Sequence, residues 1–184
     1  MYLANRPDVQ EKLHAELTTH TPPNQPVRLS SRDQLPYLQA VMREVHRHAT
    51  VTNLVLHQSR DSTVTLRGFD IPPNTMLFVN VHGPAKDPHT FGGDAFEFKP
   101  ERFIDAESGA FEKRGHVIPF SVGKRVCPGE LLARQMQFLF TANLVKQFRF
   151  SAPVSKDGTG WIDEEPVKLA TWTPKEFSVK VERR

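Results

Sequence analysis

The sequence predicts an α+β protein, mainly α with small β-sheets and much irregular chain. Three observations predict it. Apolar residues recur with helical period in three separate stretches. One central stretch is rich in β-branched and aromatic residues. Between them lie segments dense in proline, glycine and aspartate, which break regular structure. The 184 residues suffice for one domain with its own core, and nothing in the composition marks a boundary between two.

The chain enters a helical pattern almost at once. Val9, Leu13 and Leu17 form a stripe at i, i+4 and i+8. Asp8 and Glu11 near its start and His14 further on suit the helix dipole. A stripe so close to the first residue needs a partner, and one is expected upstream. This helix should end near His20, because three prolines follow within TPPNQP. A second helix is predicted from Pro36, a good first-turn residue, to about His48. Its stripe is Leu38, Val41, Met42 and Val45. Residues 50 to 81 read as strands, and VTLRGFDIPPNTMLFVNV reads as a hairpin around its Pro-Pro-Asn turn. Residues 86 to 103 read as loop with one helical turn, and residues 105 to 116 as polar and irregular. A third helix is predicted directly after Cys127, reaching about Phe148. Leu131, Leu132, Met136, Phe138, Leu139, Phe140, Leu144 and Val145 surround it, so it should be buried. In the tail, Phe177, Val179 and Val181 alternate with polar residues beyond Thr173-Pro174, which predicts a C-terminal hairpin.

Composition excludes several functions. Hydrophobic residues make up 38% and charged residues 24%, so the chain is not disordered by composition. The formal net charge is only +3, and Lys and Arg are spread along the chain. Nucleic-acid binding therefore has no support. The eight histidines show no helix-borne metal spacing. No apolar run is long enough to cross a bilayer, and no signal peptide is visible.

One stretch carries chemistry: PFSVGKRVCPGE, residues 119 to 130. It holds the only cysteine, Cys127, which excludes an intrachain disulfide and a cysteine-rich zinc site. A free cysteine is most often a small buried hydrophobe. Here, however, Cys127 reads as the residue capping the third helix, with Pro128 at the first helical position and Glu130 placed as in a capping box. Helix-terminal N–H groups and nearby Arg125 would favour a thiolate. Gly123 and Gly129 would let backbone approach something bulky, and Phe120 is placed to cover the sulfur on a folded-back loop. Such a thiolate suits a nucleophile, which needs a base such as His116, or a metal ligand. A cation beside a thiolate also suits haem, which has two propionates and an iron that accepts axial thiolate.

Phe120, Gly123, Arg125, Cys127 and Gly129 match F-x-x-G-x-R-x-C-x-G, the haem-binding signature of the cytochrome P-450 family, and the chain resembles that family throughout. The resemblance implies haem b with Cys127 thiolate as the axial ligand. It also assigns a second motif. On periodicity alone, Glu44 and Arg47 in EVHR lie off the apolar stripe and read as a surface ion pair. In the family, an E-x-x-R pair packs against an arginine of a P-x-R-F segment, here Pro100 to Phe103. The resemblance thus implies a buried network of Glu44, Arg47 and Arg102 behind the haem loop. His57 stands near a position where many members contact a haem propionate, although HQSRDSTVTLRGF is spaced differently; the alternative is a solvent-exposed histidine. Residues 50 to 56 would line the substrate pocket.

The resemblance covers essentially all of residues 1–184 and implies the C-terminal, less-than-half portion of a single cytochrome P-450 domain. The N-terminal part is missing, with the oxygen-activating helix, most of the substrate pocket and the membrane anchor, so no catalytic residue is assigned. The wording looks most like the animal microsomal branch. That implies an endoplasmic reticulum membrane protein and NADPH electrons delivered by a flavoprotein reductase on the proximal face. Lys124 and Arg125 would present a docking patch there, or be ordinary solvated cations. Two readings of function follow. One is a haem monooxygenase that inserts one atom of O₂ into a small apolar substrate of the steroid, lipid or xenobiotic class. The other is a truncated, non-catalytic haem-thiolate remnant. A haem-free redox-sensing thiol is a third, weaker reading.

Overall fold

The computed structural model describes residues 1–115, 117–154, 160–168 and 171–184. Its order is α1 (Pro7–His20), α2 (Pro36–Ala49), β1 (Leu54–Gln58), β2 (Val64–Leu66), β3 (Phe69–Ile71), β4 (Met76–Asn80), α3 (His82–Ala85), α4 (Pro88–Phe91), α5 (Glu130–Gln147), β5 (Phe148–Ser151), β6 (Pro166–Lys168), β7 (Trp172–Pro174) and β8 (Lys180–Arg183). The fold is α+β: three long helices share one core, and the strands pair into four two-stranded antiparallel ribbons.

The core lies between α1, α2 and α5. Leu13, Leu17, Leu35, Leu38, Val41 and Phe138 are all buried in it. The α1 stripe therefore finds its partners downstream, in α2 and α5, and not upstream as its position suggested. Helix α2 begins at Pro36 with Leu35 at the N-cap, a residue with no polar side chain to offer. Glu16 of α1 takes that role: its carboxylate accepts the Tyr37 and Leu38 amides at 2.6 and 2.9 Å. Thr50 closes α2 in the left-handed region, φ 41°, with its amide on the His46 carbonyl and its hydroxyl donating to the Arg47 carbonyl. This conformation is uncommon for a β-branched residue. It turns the chain from α2 towards β1.

Three expectations need correction. The hairpin in residues 64 to 71 turns at Arg67-Gly68, not at Pro-Pro-Asn: Leu66 pairs with Phe69. Both turn residues have positive φ, 50° and 85°, as a two-residue hairpin loop demands. β4 pairs instead with β1, from Leu54↔Asn80 to Gln58↔Met76. Helix α5 is not buried on all sides. Phe138, Ala142 and Val145 face the core, while Leu131, Leu132, Phe140 and Leu144 are 68%, 63%, 60% and 44% exposed. Apolarity all round says what a helix can bury, not what stands beside it. Finally, the tail is not one hairpin: β6 pairs with β7, and β8 runs back to pair with β5 at the end of α5.

Candidate haem site

The loop from Val117 to Gly129 leaves the core and turns back on itself. Val117 is buried. Ser121 and Gly123 take positive φ, 64° and 75°, and a 3-10 turn, Gly123–Arg125, follows. At Gly123 the conformation explains the glycine, since a Cβ there would meet nothing within 4 Å. The Cys127 amide donates to the Phe120 carbonyl at 2.9 Å, which closes the loop.

Cys127 does not cap α5. Its carbonyl accepts the Glu130 amide in a turn, the N-cap is Gly129, and the first full helical bond runs from Ala133 N to Gly129 O. Pro128 is thus outside the helix, and Glu130 reaches forward to Arg134 at 2.7 Å rather than back to a cap. Nor is Cys127 a buried hydrophobe: it is exposed. Gly129 stands beside the sulfur, where its Cβ would lie 3.9 Å from Sγ. Arg125 is exposed.

A cavity of about 460 Å³ opens above the loop. Phe120, Arg125 and Cys127 form one wall, and Thr50, Val55 and Val81 stand among the others. His57 lies two residues beyond Val55 on the same face of β1, half-buried, outside the lining. His116 lies outside the described residues. Among those described, no cluster of three or more His, Cys, Asp or Glu is placed to hold a metal ion. A single thiolate such as Cys127 could offer is the ligation that suits an iron held by a macrocycle.

Behind the loop, Glu44 and Arg47 are completely buried. Glu44 Oε1 accepts from Arg47 Nη2, the Lys99 amide and Arg102 Nε at 2.8, 2.7 and 3.2 Å, and Oε2 accepts from Arg47 Nε at 2.7 Å. Arg47 also donates to the carbonyls of Ala85, Ala95 and Glu97. Its five N–H groups thus have five partners. Arg102 donates its remaining N–H groups to Phe91 O, Asp94 O and Oδ1, and Glu97 O. This is no surface ion pair. Residues 85 to 103 fold over the polar side of α2 and exclude water from it.

The sequence pattern of the family described as Cytochrome P-450 matches residues 1–181. The chain belongs to the cytochrome P-450 family. It is 39% identical to cytochrome P-450 1A2 of Callithrix jacchus over 155 residues, covering 83% of this chain and 30% of that protein. It is 33% identical to cytochrome P-450 2L1 of Panulirus argus over 184 residues, covering 100% of this chain and 37% of that protein. A zebrafish cytochrome P-450 structure with abiraterone superposes with a TM-score of 0.86 at 31% identity, covering 100% of this chain and 41% of that one. The chain thus spans about a third of the length of the curated cytochrome P-450 relatives it matches.

The residues present fit the haem that cytochromes P-450 imply. The chain's only thiol is exposed on the wall of an apolar cavity, and a guanidinium lies on the same wall to meet carboxylates. Three further residues that the motifs do not mark stand close by: His46 and Arg134 meet the Phe120 ring, and Gln137 meets His46. His46 and Gln137 line the haem-site cavity and also a second cavity of about 420 Å³ behind it. The signal for His46 was inside EVHR, between the two motif residues. Among the described residues, no helix is long and apolar enough to cross a membrane.

Proposed function

We propose that residues 1–184 are the haem-binding, C-terminal portion of a cytochrome P-450 domain and serve a haem-thiolate monooxygenase. One observation carries this reading: the exposed Cys127 sulfur on the wall of a cavity shared with Phe120 and Arg125. When bound, haem with a thiolate ligand supplies the activation of O₂ that lets one oxygen atom enter an organic substrate. The protein's own groups do the rest. Cys127 provides the anionic sulfur, and Arg125 provides positive charge for a propionate. Apolar residues such as Val55 and Val81 exclude water and favour an apolar substrate. His57, on the same face of β1 as Val55, would be the candidate for a second propionate contact. Glu44, Arg47 and Arg102 hold the backbone of residues 85 to 103 and contact no ligand. Lys124 is exposed and, with other basic residues nearby, would meet a flavoprotein reductase carrying NADPH electrons at the endoplasmic reticulum membrane.

The test is Cys127→Ser in the whole chain. The wild-type chain, loaded with haemin, reduced and exposed to carbon monoxide, should give the thiolate-type spectrum, and C127S should lose it. An unchanged spectrum overturns the reading. A second reading is a haem-thiolate protein without turnover. Addition of reductase, NADPH and a panel of apolar substrates separates the two: product supports the first, haem binding without product the second.

A further inference from the structure

Phe120 stands between two side chains contributed by two different helices. The His46 imidazole of α2 meets its ring edge-on, with centroids 5.6 Å apart and planes at 87°. The Arg134 guanidinium of α5 lies 4.9 Å from the ring centroid. Both arms are themselves held. His46 Nε2 sits 2.7 Å from Gln137 Oε1, so Nε2 carries the proton and donates. That leaves Nδ1 as the acceptor atom, buried and, among the described residues, without a partner. Arg134 Nε donates to Glu130 Oε1 at 2.7 Å. The Phe120 carbonyl, in turn, accepts the Cys127 amide at 2.9 Å. An unbroken series of contacts therefore runs from α2 and α5, through one aromatic ring, to the backbone of the cysteine.

We propose that His46 and Arg134 are positioning residues for Cys127: together they clamp Phe120 between α2 and α5, and its carbonyl fixes where the sulfur stands. Periodicity gives His46 no such task, because α2 needs only its apolar stripe to pack. The contact also explains a polar His–Gln pair between two apolar cavities. Gln137 fixes the imidazole so that its edge, not its face, meets Phe120. The functional meaning of the clamp rests on the haem-thiolate reading, but its geometry can be tested without haem.

The measurement is hydrogen exchange at the Cys127 amide in the haem-free whole chain. An aromatic edge contact or a cation–π contact is a small term, so His46→Ala and Arg134→Ala should each speed this exchange about two- to tenfold. His46→Phe keeps an edge against Phe120 without the Gln137 bond and should restore protection. Leu17→Ala serves as the control: it destabilises the core but should leave the Cys127 exchange rate at the wild-type value. If H46A and R134A lower the unfolding midpoint as L17A does while Cys127 exchange does not move, the clamp is wrong and both residues are merely structural. If H46A fails to fold, R134A alone still decides the matter. Failure of the clamp is distinguishable from failure of the haem reading, because C127S tests haem ligation alone. A loosened loop with haem spectra indifferent to C127S would leave the clamp standing and remove the ligand assignment.

Discussion

At the scale of single residues, burial and partner count decide what a charge does. Glu44 is fully buried and accepts four hydrogen bonds, three of them from two arginines. A carboxylate so placed is tolerated because its charge is met on every side. Removing one partner leaves the others buried and uncompensated. Glu44→Gln should therefore cost about 3–5 kcal/mol, seen as a lower urea midpoint. Arg47→Lys should be nearly as damaging, since one ammonium cannot serve five separate acceptors in a fixed fork. A loss of under about 1 kcal/mol would mean that residues 85 to 103 do not seal this network. In the sequence, Glu44 and Arg47 read as a surface pair because the segment that covers them lies about 50 residues away. Local periodicity holds no record of it. Only the family motif raised the buried alternative. Cys127 was more legible, since the features that define its loop lie within twelve consecutive residues. Its place at the helix was misjudged by two residues, because Pro128 and Gly129 form a turn where a first helical turn was expected.

At the scale of elements, the three helices were legible and their surroundings were not. Helix α1 ended at His20, and α2 began at Pro36, as proline and periodicity required. What lies against each helix depends on tertiary structure. The α2 N-terminus shows this best. Its N-cap is Leu35, so the sequence offers no local cap, yet the amides of Tyr37 and Leu38 are both met by Glu16, 21 and 22 residues earlier. Glu16 therefore locks α1 to the start of α2, in addition to the apolar contacts between them. Glu16→Ala should cost about 1–2 kcal/mol, the usual size of a lost helix cap. Glu16→Gln, which keeps an acceptor, should recover part of it. The check is a urea midpoint that falls with an unchanged m-value. The Arg67-Gly68 turn was missed for a related reason. Pro-Pro-Asn is the louder turn signal, and nothing local says that β3 pairs backward to β2 while β4 reaches across to β1.

At the scale of the whole molecule, the interior of the helical core sets a pH limit on stability. Burial pushes His46 down to about 4; Gln137 and Glu130 oppose the shift, and Arg134 and Arg43 add to it. Burial likewise pushes His48 down to about 4, with Lys86 and Arg47 adding to it, and the Phe96 carbonyl and Glu44 opposing. Both rings are neutral in the folded chain at neutral pH. The unfolded chain, with histidines near 6.5, binds more protons below that value, so folding becomes less favourable as pH falls from about 6.5 towards 4. At pH 5 each histidine should remove about 2 kcal/mol, and the two together about 4. Half-exposed Glu11 behaves differently. Arg184 and Arg149 hold its carboxyl down to about 2, so its contribution is lost only below about 4.5 and is weakened by salt. The two effects therefore occupy separate windows. Urea midpoints at pH 7.5, 6 and 5 should fall steadily, with little dependence on salt. His48→Gln should make the slope shallower, although His14 and His82, both also pushed down by burial, add to the remaining fall. A flat profile between pH 7.5 and 5 would mean that both imidazoles are reached by water, and that α2 is not seated against α5 and the 85 to 103 segment.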